Sequence, residues 1–198
     1  MKLVVVIGGI ASGKSSVSKL FSEKGAACID LDLIGHEVLH NPKVKEALAS
    51  RFGTDIFGED GEVVRPRLAQ KAFADADSTA ALNAITHAQI IADAWDLIAG
   101  YEREGKDVCV VEISPYDGPE GTFGVFTDKA DACVAVVAPT EQRVARAVAK
   151  GFSEEDARNR ISRQVSDDQR RQWATHVLEN DGSWENLSGQ IQKLWEEL

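Results

Sequence analysis

A glycine-rich segment near the start of the chain combines the residue types that bind nucleotide phosphates. Residues 8–15 read Gly-Gly-Ile-Ala-Ser-Gly-Lys-Ser, which is the G-x-x-x-x-G-K-S pattern of a phosphate-binding loop. Glycine lets the backbone turn tightly and approach a ligand, so successive backbone N–H groups can point at one anion. Lys14 adds a positive charge for the β- and γ-phosphates, and the Ser15 hydroxyl is a ligand for Mg²⁺. We expect the nucleotide to contact Gly8, Gly9, Ile10, Ala11, Ser12, Gly13, Lys14, Ser15 and Ser16.

The segments on both sides of this loop have the periodicity that the motif requires. Residues 3–7 form an apolar run of strand length, and Val17, Leu20 and Phe21 follow at helical spacing. Strand, glycine loop and helix is the arrangement in which this motif binds phosphate. The alternative, a glycine-rich turn that binds nothing, is therefore the weaker interpretation.

Two acidic side chains follow apolar runs that we predict as strands. Asp32 comes shortly after residues 26–29, and Glu112 comes directly after residues 108–111. Ligands of open α/β sheets bind at the carboxyl ends of the strands. Asp32 could accept a proton from an attacking hydroxyl or help to hold Mg²⁺, or it could cap the next helix. Glu112 could support Mg²⁺ or be an ordinary residue at the end of a strand.

Basic residues cluster on two predicted helices in the last third of the chain. Arg146 and Lys150 are four residues apart on one helix, and Arg160 and Arg163 are three apart on the next, so each pair shares a face. Many nucleotide kinases neutralise the transferring phosphoryl group with arginines on a mobile helical pair. The alternative is an exposed basic face that balances nearby acidic residues.

His87 has no second metal ligand at a suitable spacing in the sequence, and a lone histidine is more often structural than functional.

Five apolar runs separated by helical patterns indicate an α/β protein with a parallel sheet covered on both faces. They span residues 3–7, 26–29, 108–111, 132–137 and 176–178. A helical stretch interrupts this alternation, and we interpret it as an inserted substrate-binding lobe. The predicted organisation is a single domain, 1–198, with a core of 1–39, 106–148 and 174–198, an insert of about 40–105 and a lid of about 149–173.

Composition excludes several classes of protein. The 198 residues carry a net charge of −10, which argues against a long nucleic-acid track because such a track needs a basic face. No apolar run approaches the ~20 residues that a membrane span needs. The three cysteines are far apart and lie in or beside apolar runs, which favours reduced core thiols in a cytoplasmic protein over zinc or redox sites.

The order of the motifs resembles that of dephospho-CoA kinases over almost the whole chain. Residues 8–15 are similar to that family's G-G-I-G-S-G-K-S, with Ala11 in place of a glycine. Ile29-Asp30-Leu31-Asp32 resembles its I-D-A-D, and residues 82–87 resemble its L-x-x-I-x-H-P. Residues 157–164 are similar to its lid pattern R-I-x-x-Q. Further matches are Phe52-Gly53, Asp60-Gly61, Arg65-Pro66-Arg67-Leu68 and Asn180-Asp181-Gly182.

The resemblance implies a P-loop NTPase three-layer fold with a five-stranded parallel sheet, a helical insert and a helical lid. It also implies ATP- and Mg²⁺-dependent phosphorylation of the 3′-hydroxyl of dephospho-CoA. The expected partners are ATP and this small-molecule substrate, without nucleic acid or membrane, in a monomer or small homo-oligomer. The implied catalytic residues are Asp32 as general base, Lys14 and Arg146, with Ser15 on the metal. The implied substrate-binding residues are Asp32, His36, Arg65, His87 and Arg160.

Several positions depart from the family pattern. The family's P-L-L-F-E after the third strand is here Pro115-Tyr116-Asp117-Gly118-Pro119, and Ala88 follows His87 where the family has proline. His36 stands where the family has an acceptor-side arginine, and Ala149 where it has a lid arginine, which leaves Arg146 or Lys150 as substitutes. Two alternatives therefore remain: a related kinase with a different hydroxyl acceptor, or a catalytically weak nucleotide-binding regulatory protein.

Overall fold

A five-stranded parallel sheet with the strand order β2-β3-β1-β4-β5 forms the centre of the computed structural model, which describes all of residues 1–198. The strands are β1 (Lys2–Gly8), β2 (Ala27–Asp30), β3 (Val108–Glu112), β4 (Ala132–Val137) and β5 (His176–Glu179). All four pairings are parallel. This confirms the predicted parallel sheet and fold class.

The central strands are apolar throughout because the sheet is covered on both faces. Every residue of β4 is buried, and in β1 only the first residue is exposed. Consecutive buried residues point to opposite faces of a strand, so both faces need a helical layer. Continuous apolar runs therefore mark these strands in the sequence better than alternation does.

Ten α-helices connect and flank the strands. They are α1 (Lys14–Glu23), α2 (Leu31–Glu37), α3 (Pro42–Phe52), α4 (Arg65–Ala72), α5 (Ala76–Arg103), α6 (Gly124–Thr127), α7 (Thr140–Ala149), α8 (Glu154–Arg163), α9 (Asp167–Trp173) and α10 (Trp184–Glu197). Two short 3₁₀ turns, Val38–His40 and Thr54–Ile56, follow α2 and α3. No helix is both long and apolar enough to cross a membrane.

The chain divides into two compact units, each with its own core. The first, which we call the sheet unit, consists of Met1–Asp30 and Ile98–Leu198. Its core joins buried residues of the strands to Phe21 of α1 and to Leu187, Ile191 and Leu194 of α10. The phosphate loop, α7, α8 and α9 belong to this unit.

The second unit, Leu31–Leu97, contains helices and no strand of the sheet, and we call it the helical unit. The insert that the sequence predicts over 40–105 overlaps it, although the unit begins at α2. Its core is a small cluster of Val44, Leu48, Phe52, Ile56, Leu68 and Ala72. Lys71 of α4 donates hydrogen bonds to the Phe52 carbonyl (2.6 Å) and to Asp55 Oδ1 (2.5 Å), which fixes α4 against the end of α3.

Candidate functional site

The phosphate loop connects the end of β1 to the start of α1, as the motif requires. Gly13 has φ of 107° and Ala11 has φ of 57°, both in the left-handed region. A Cβ on Gly13 would lie 2.0 Å from Nδ2 of Asn180, so glycine is required there for space as well as for conformation. Ala11 adopts its left-handed conformation at the energetic cost that an L-residue incurs there.

The Lys14 side chain is buried against the loop that carries it. Its Nζ lies 3.1 Å from the Gly8 carbonyl and 3.4 Å from the Gly9 carbonyl. Ser15 is exposed in the first turn of α1, where backbone N–H groups lack partners within the helix and attract anions. The predicted loop residues are therefore together, with a cation and a hydroxyl beside an anion-binding helix end.

A partly buried network that the sequence did not predict holds both polar backbone groups of Ile10. The Ile10 N–H donates to Gln164 Oε1 (2.8 Å), and the Ile10 carbonyl accepts from Arg143 Nε (3.0 Å). Arg143 Nη2 also donates to Gln164 Oε1 (3.1 Å), which closes a ring of three residues. Gln164 directly follows α8, so the loop is tied to the segment that we predict as the lid.

Arg143 is 4% exposed, and burial lowers its pKa because the guanidinium loses hydration. Asp167 compensates this loss: its Oδ1 lies 3.6 Å from Arg143 Nη1 and 2.6 Å from Arg170 Nη1. The sequence signal for Arg143 is its position on the buried stripe of α7 beside Val144 and Ala147, because a charge on an apolar stripe needs a partner.

Arg146, which the sequence predicts as catalytic, joins the loop to the segment after β5. Its guanidinium donates to the Asn180 carbonyl (2.8 Å), to Gln142 Oε1 (3.1 Å) and, at 3.5 Å, to the Ser12 carbonyl. Asn180 Nδ2 donates to the same Ser12 carbonyl (2.7 Å). Arg146 also lines a cavity of about 420 Å³ with Ser15 and Ser16.

The other predicted residues of the sheet unit have structural partners. Arg160 is exposed, pairs with Asp156 (3.0 Å), and lies over the ring of Phe152. Glu112 Oε2 accepts a hydrogen bond from the Ser18 hydroxyl (2.8 Å). Glu112 therefore contacts α1 one turn beyond the loop.

The loop that departs from the family pattern packs against α9. Tyr116 is buried, its hydroxyl lies 2.9 Å from Thr127 Oγ1, and its ring meets Trp173 edge-on at 5.7 Å. A Cβ on Gly118 would lie 3.1 Å from the Trp173 ring. Residues 115–119 thus brace the end of α9, and Tyr116 supplies the aromatic contact.

Four of the five substrate-binding residues that the resemblance implies lie in the helical unit, whereas Arg160 lies in the sheet unit. Asp32 is exposed in the first turn of α2, and His36 follows one turn later on that helix. Arg65 Nη2 donates to His36 Nε2 at 2.7 Å, because a guanidinium has no acceptor. His87 is half-buried on α5, beside the buried Thr86.

The loop residues fit a nucleotide phosphate chain. The Ser12 hydroxyl is fully buried and has no hydrogen-bond partner within the protein, so the loop retains a polar group that a ligand can satisfy. No group of three or more His, Cys, Asp or Glu side chains is arranged to hold a metal ion. The oxygen that fits Mg²⁺ at the loop is the Ser15 hydroxyl, since hard cations prefer oxygen ligands.

Several solved structures share this fold over the whole chain. The protein TT1252 from Thermus thermophilus superposes with a TM-score of 0.80 and 30% identity, covering 100% of this chain and 97% of that one. Dephospho-CoA kinase from Campylobacter jejuni gives a TM-score of 0.66 at 21% identity, with 99% and 96% covered. Shikimate kinase from Bacteroides thetaiotaomicron gives a TM-score of 0.52 at 18% identity, and the match covers 100% of this chain and 99% of that one. The last two likenesses show a shared P-loop kinase fold.

Sequence relatives give the more specific result. The dephospho-CoA kinase family model matches residues 2–186. Dephospho-CoA kinase of Corynebacterium diphtheriae is 38% identical over 199 residues, covering 99% of this chain and 96% of the relative. The dephospho-CoA kinase of Thermobifida fusca is 36% identical over 201 residues, covering 100% of this chain and 96% of the relative. The chain belongs to the dephospho-CoA kinase family.

Proposed function

We propose that this protein transfers the γ-phosphoryl group of ATP to the 3′-hydroxyl of dephospho-CoA, the last step of coenzyme A synthesis. The observation that carries this proposal is the intact phosphate loop, with Lys14 buried against it, in a chain that matches the kinase family from residue 2 to residue 186. The same loop in a catalytically weak regulatory protein would not need Lys14, Ser15 and Asp32 all to be present.

In the donor half, residues 8–16 bind the ATP phosphates through backbone N–H groups and the Lys14 ammonium. A Mg²⁺ ion, when bound, supplies charge neutralisation between the β- and γ-phosphates, and the Ser15 hydroxyl is its ligand from the protein. Arg146, on α7 just before the lid, is the cation for the transferring group, since it lines the cavity that Ser15 and Ser16 share. Arg160 on α8 supplies a second positive charge from the lid.

In the acceptor half, Asp32 is the general base. The acceptor 3′-oxygen forms a new bond to the γ-phosphorus while the bond from that phosphorus to the bridging oxygen breaks. The electron pair of the broken bond remains on ADP, and the hydroxyl proton passes to the Asp32 carboxylate. Arg65, His36 and His87 bind dephospho-CoA from the helical unit.

The proposed setting is cytoplasmic, as a monomer or small homo-oligomer that does not bind nucleic acid. A net charge of −10 supports the last point, because a polyanion is repelled by an acidic surface. Phosphorylation of CoA precursors uses small soluble substrates, which supports a cytoplasmic setting.

Phosphoryl transfer from [γ-³²P]ATP to dephospho-CoA in the presence of Mg²⁺ tests the function, with the product position determined by mass spectrometry. We expect 3′-phosphorylation by the wild type and a fall in kcat of about 10²–10⁴-fold in Asp32→Asn, the range that a general base contributes. Asp96→Asn, on the exposed face of α5 in the same unit, is the matched control and should keep full activity.

The outcomes separate the alternatives. Turnover only with another hydroxyl acceptor would identify a related kinase whose acceptor has changed. ATP binding without turnover of any acceptor would identify a regulatory nucleotide-binding protein. Equal activity of Asp32→Asn and the wild type would remove Asp32 as the base and leave the function intact.

A further inference from the structure

Two buried arginines of the sheet unit share one carboxylate. Arg143 of α7 and Arg170 of α9 have side chains that are 5% and 3% exposed. Arg143 Nη1 lies 3.6 Å from Asp167 Oδ1, and Arg170 Nη1 lies 2.6 Å from the same oxygen. We call these three residues the arginine–aspartate cluster. In it, two guanidinium charges face a single carboxylate charge.

The cluster therefore has an excess of one positive charge. The other hydrogen-bond partners of Arg143, the Ile10 carbonyl and Gln164 Oε1, are neutral and do not compensate it. Burial lowers the pKa of Arg143, Asp167 raises it, and the like charge of Arg170 lowers it again. A buried charge that lacks a full counter-ion destabilises the folded protein. An anion bound nearby would reduce that cost, so the cluster favours anion binding.

The cluster lies directly against the phosphate loop. A Cβ on Gly9 would be 2.0 Å from Arg143 Nη2, and Arg143 Nε donates to the carbonyl of the next residue, Ile10 (3.0 Å). Lys14 Nζ lies 3.4 Å from the Gly9 carbonyl, so the excess charge and the loop lysine are beside the same residue. Solvent and salt screen buried charges much less than exposed ones. The phosphate chain that this loop binds is therefore within the field of the cluster.

We propose that the excess charge of the arginine–aspartate cluster strengthens binding of the donor phosphates through the loop, without contact between either arginine and the nucleotide. This rests on the proposed function only for the identity of ATP as the donor. Asp167 sets the size of the effect, because it cancels one of the two guanidinium charges. The attraction grows with the charge of the ligand, so it is larger for ATP than for ADP.

The test measures Kd for ATP and for ADP by titration calorimetry, with EDTA in place of Mg²⁺ so that the phosphate charge is not masked. Arg170→Gln removes one positive charge and keeps an N–H donor for Asp167, whereas Asp167→Asn removes the negative charge and keeps an oxygen acceptor. We expect Arg170→Gln to raise Kd for ATP about fivefold, the low end of the coupling between two sites. Asp167→Asn should lower it by a similar factor, and both changes should be smaller for ADP.

The neighbouring residues of α9 supply matched controls. Arg171→Gln and Asp168→Asn make the same changes of charge at exposed positions, where Arg171 pairs with Glu179 at 2.5 Å. Because exposed charges are screened, both controls should keep the wild-type Kd for ATP. Arg170→Lys keeps the buried charge and should retain the ATP affinity that Arg170→Gln loses, even if its Tm falls. Arg143 is unsuitable for this test, since it also holds Ile10 by a hydrogen bond.

Opposite signs in the two variants distinguish this proposal from a purely structural role, in which the cluster only joins α7 to α9. A structural role predicts weaker ATP binding in Asp167→Asn as well as in Arg170→Gln, and that result would overturn the proposal. If Asp167→Asn does not fold, equal ATP affinities of Arg170→Gln and Arg170→Lys would overturn it. A wild type that binds ATP but phosphorylates no acceptor would instead refute the proposed function, and the variant affinities would still decide the role of the cluster.

Discussion

Arg143→Met tests whether the buried network on α7 positions the phosphate loop. Methionine has similar length but no donors, so the substitution removes the contacts to Ile10, Gln164 and Asp167. Asp167 keeps its contact with Arg170 at 2.6 Å, so no carboxylate is left unpaired. The cost is then the loss of hydrogen bonds from a charged group, about 1.5–3 kcal/mol. For a domain of this size, that corresponds to a fall in Tm of about 3–12 °C.

The same variant should raise KM for ATP while it leaves KM for dephospho-CoA unchanged. The Ile10 carbonyl loses its partner, and the loop conformation that aims backbone N–H groups at the phosphates is held less firmly. Arg143→Lys keeps the charge, but a single ammonium cannot reproduce the fork of the guanidinium. We expect Lys to recover part of the Tm and little of the ATP affinity.

Arg158→Met is the matched control, because Arg158 of α8 also connects two helices, through Glu141 of α7, and pairs with Glu154 of its own helix, but in an exposed position. Exposed ion pairs contribute little to stability, so its Tm and its KM for ATP should stay close to the wild-type values. Differential scanning fluorimetry and steady-state kinetics measure both. Equal losses in the Arg143 and Arg158 variants, or an unchanged KM for ATP in Arg143→Met, would refute the reasoning from burial.

Two further predictions concern the loop and the cysteines. Ala11→Gly should stabilise the protein by about 0.5–1 kcal/mol in denaturant unfolding. The ~1–2 kcal/mol cost of a left-handed L-residue at position 11 exceeds the ~0.4–1 kcal/mol by which alanine, compared with glycine, reduces the conformational entropy of the unfolded chain. A lower denaturation midpoint in the variant would contradict this. Burial raises the pKa of the Cys28 and Cys133 thiols to about 11, so both stay neutral in the native protein at pH 8. Iodoacetamide should label them only after unfolding, and labelling should become faster as the pH approaches 11; rapid native labelling at pH 8 would show that the thiols are accessible and ionised.

The sheet was predictable because its signals are local. Residues 132–137 were predicted as a strand from their apolar run alone, and the structure places β4 on the same residues. The phosphate loop was predictable for a related reason: its glycines and Lys14 act through backbone geometry within eight residues of chain. The short helix α6 was not predicted. It has four residues, which is too few for a clear helical period.

The cavity of about 630 Å³ that His36, Arg65 and Phe73 line in the helical unit was only partly predictable. Arg65 and His36 were expected near the substrate from the resemblance, and the structure joins them directly. The exposure of Phe73 had no sequence signal, because one aromatic after a helix is compatible with a core position as well as with an exposed one. Its 66% exposure beside a cavity is a property of the folded chain.

The two arginines of α7 show where local reasoning ends. Arg143 and Arg146 are three residues apart on one helix, so their sequence environments are nearly equivalent, and only Arg146 was predicted as functional. The fold separates them: Arg143 lies on the buried stripe and holds Ile10, whereas Arg146 lies beside it and bonds the Ser12 and Asn180 carbonyls. Both arginines therefore contact carbonyl groups of the phosphate loop, Arg143 at Ile10 and Arg146 at Ser12. We therefore propose that Arg146 takes the place of the arginine that the family has at Ala149, since Arg146 is one turn away on α7 and lines the cavity with Ser15, Ser16 and Ala149.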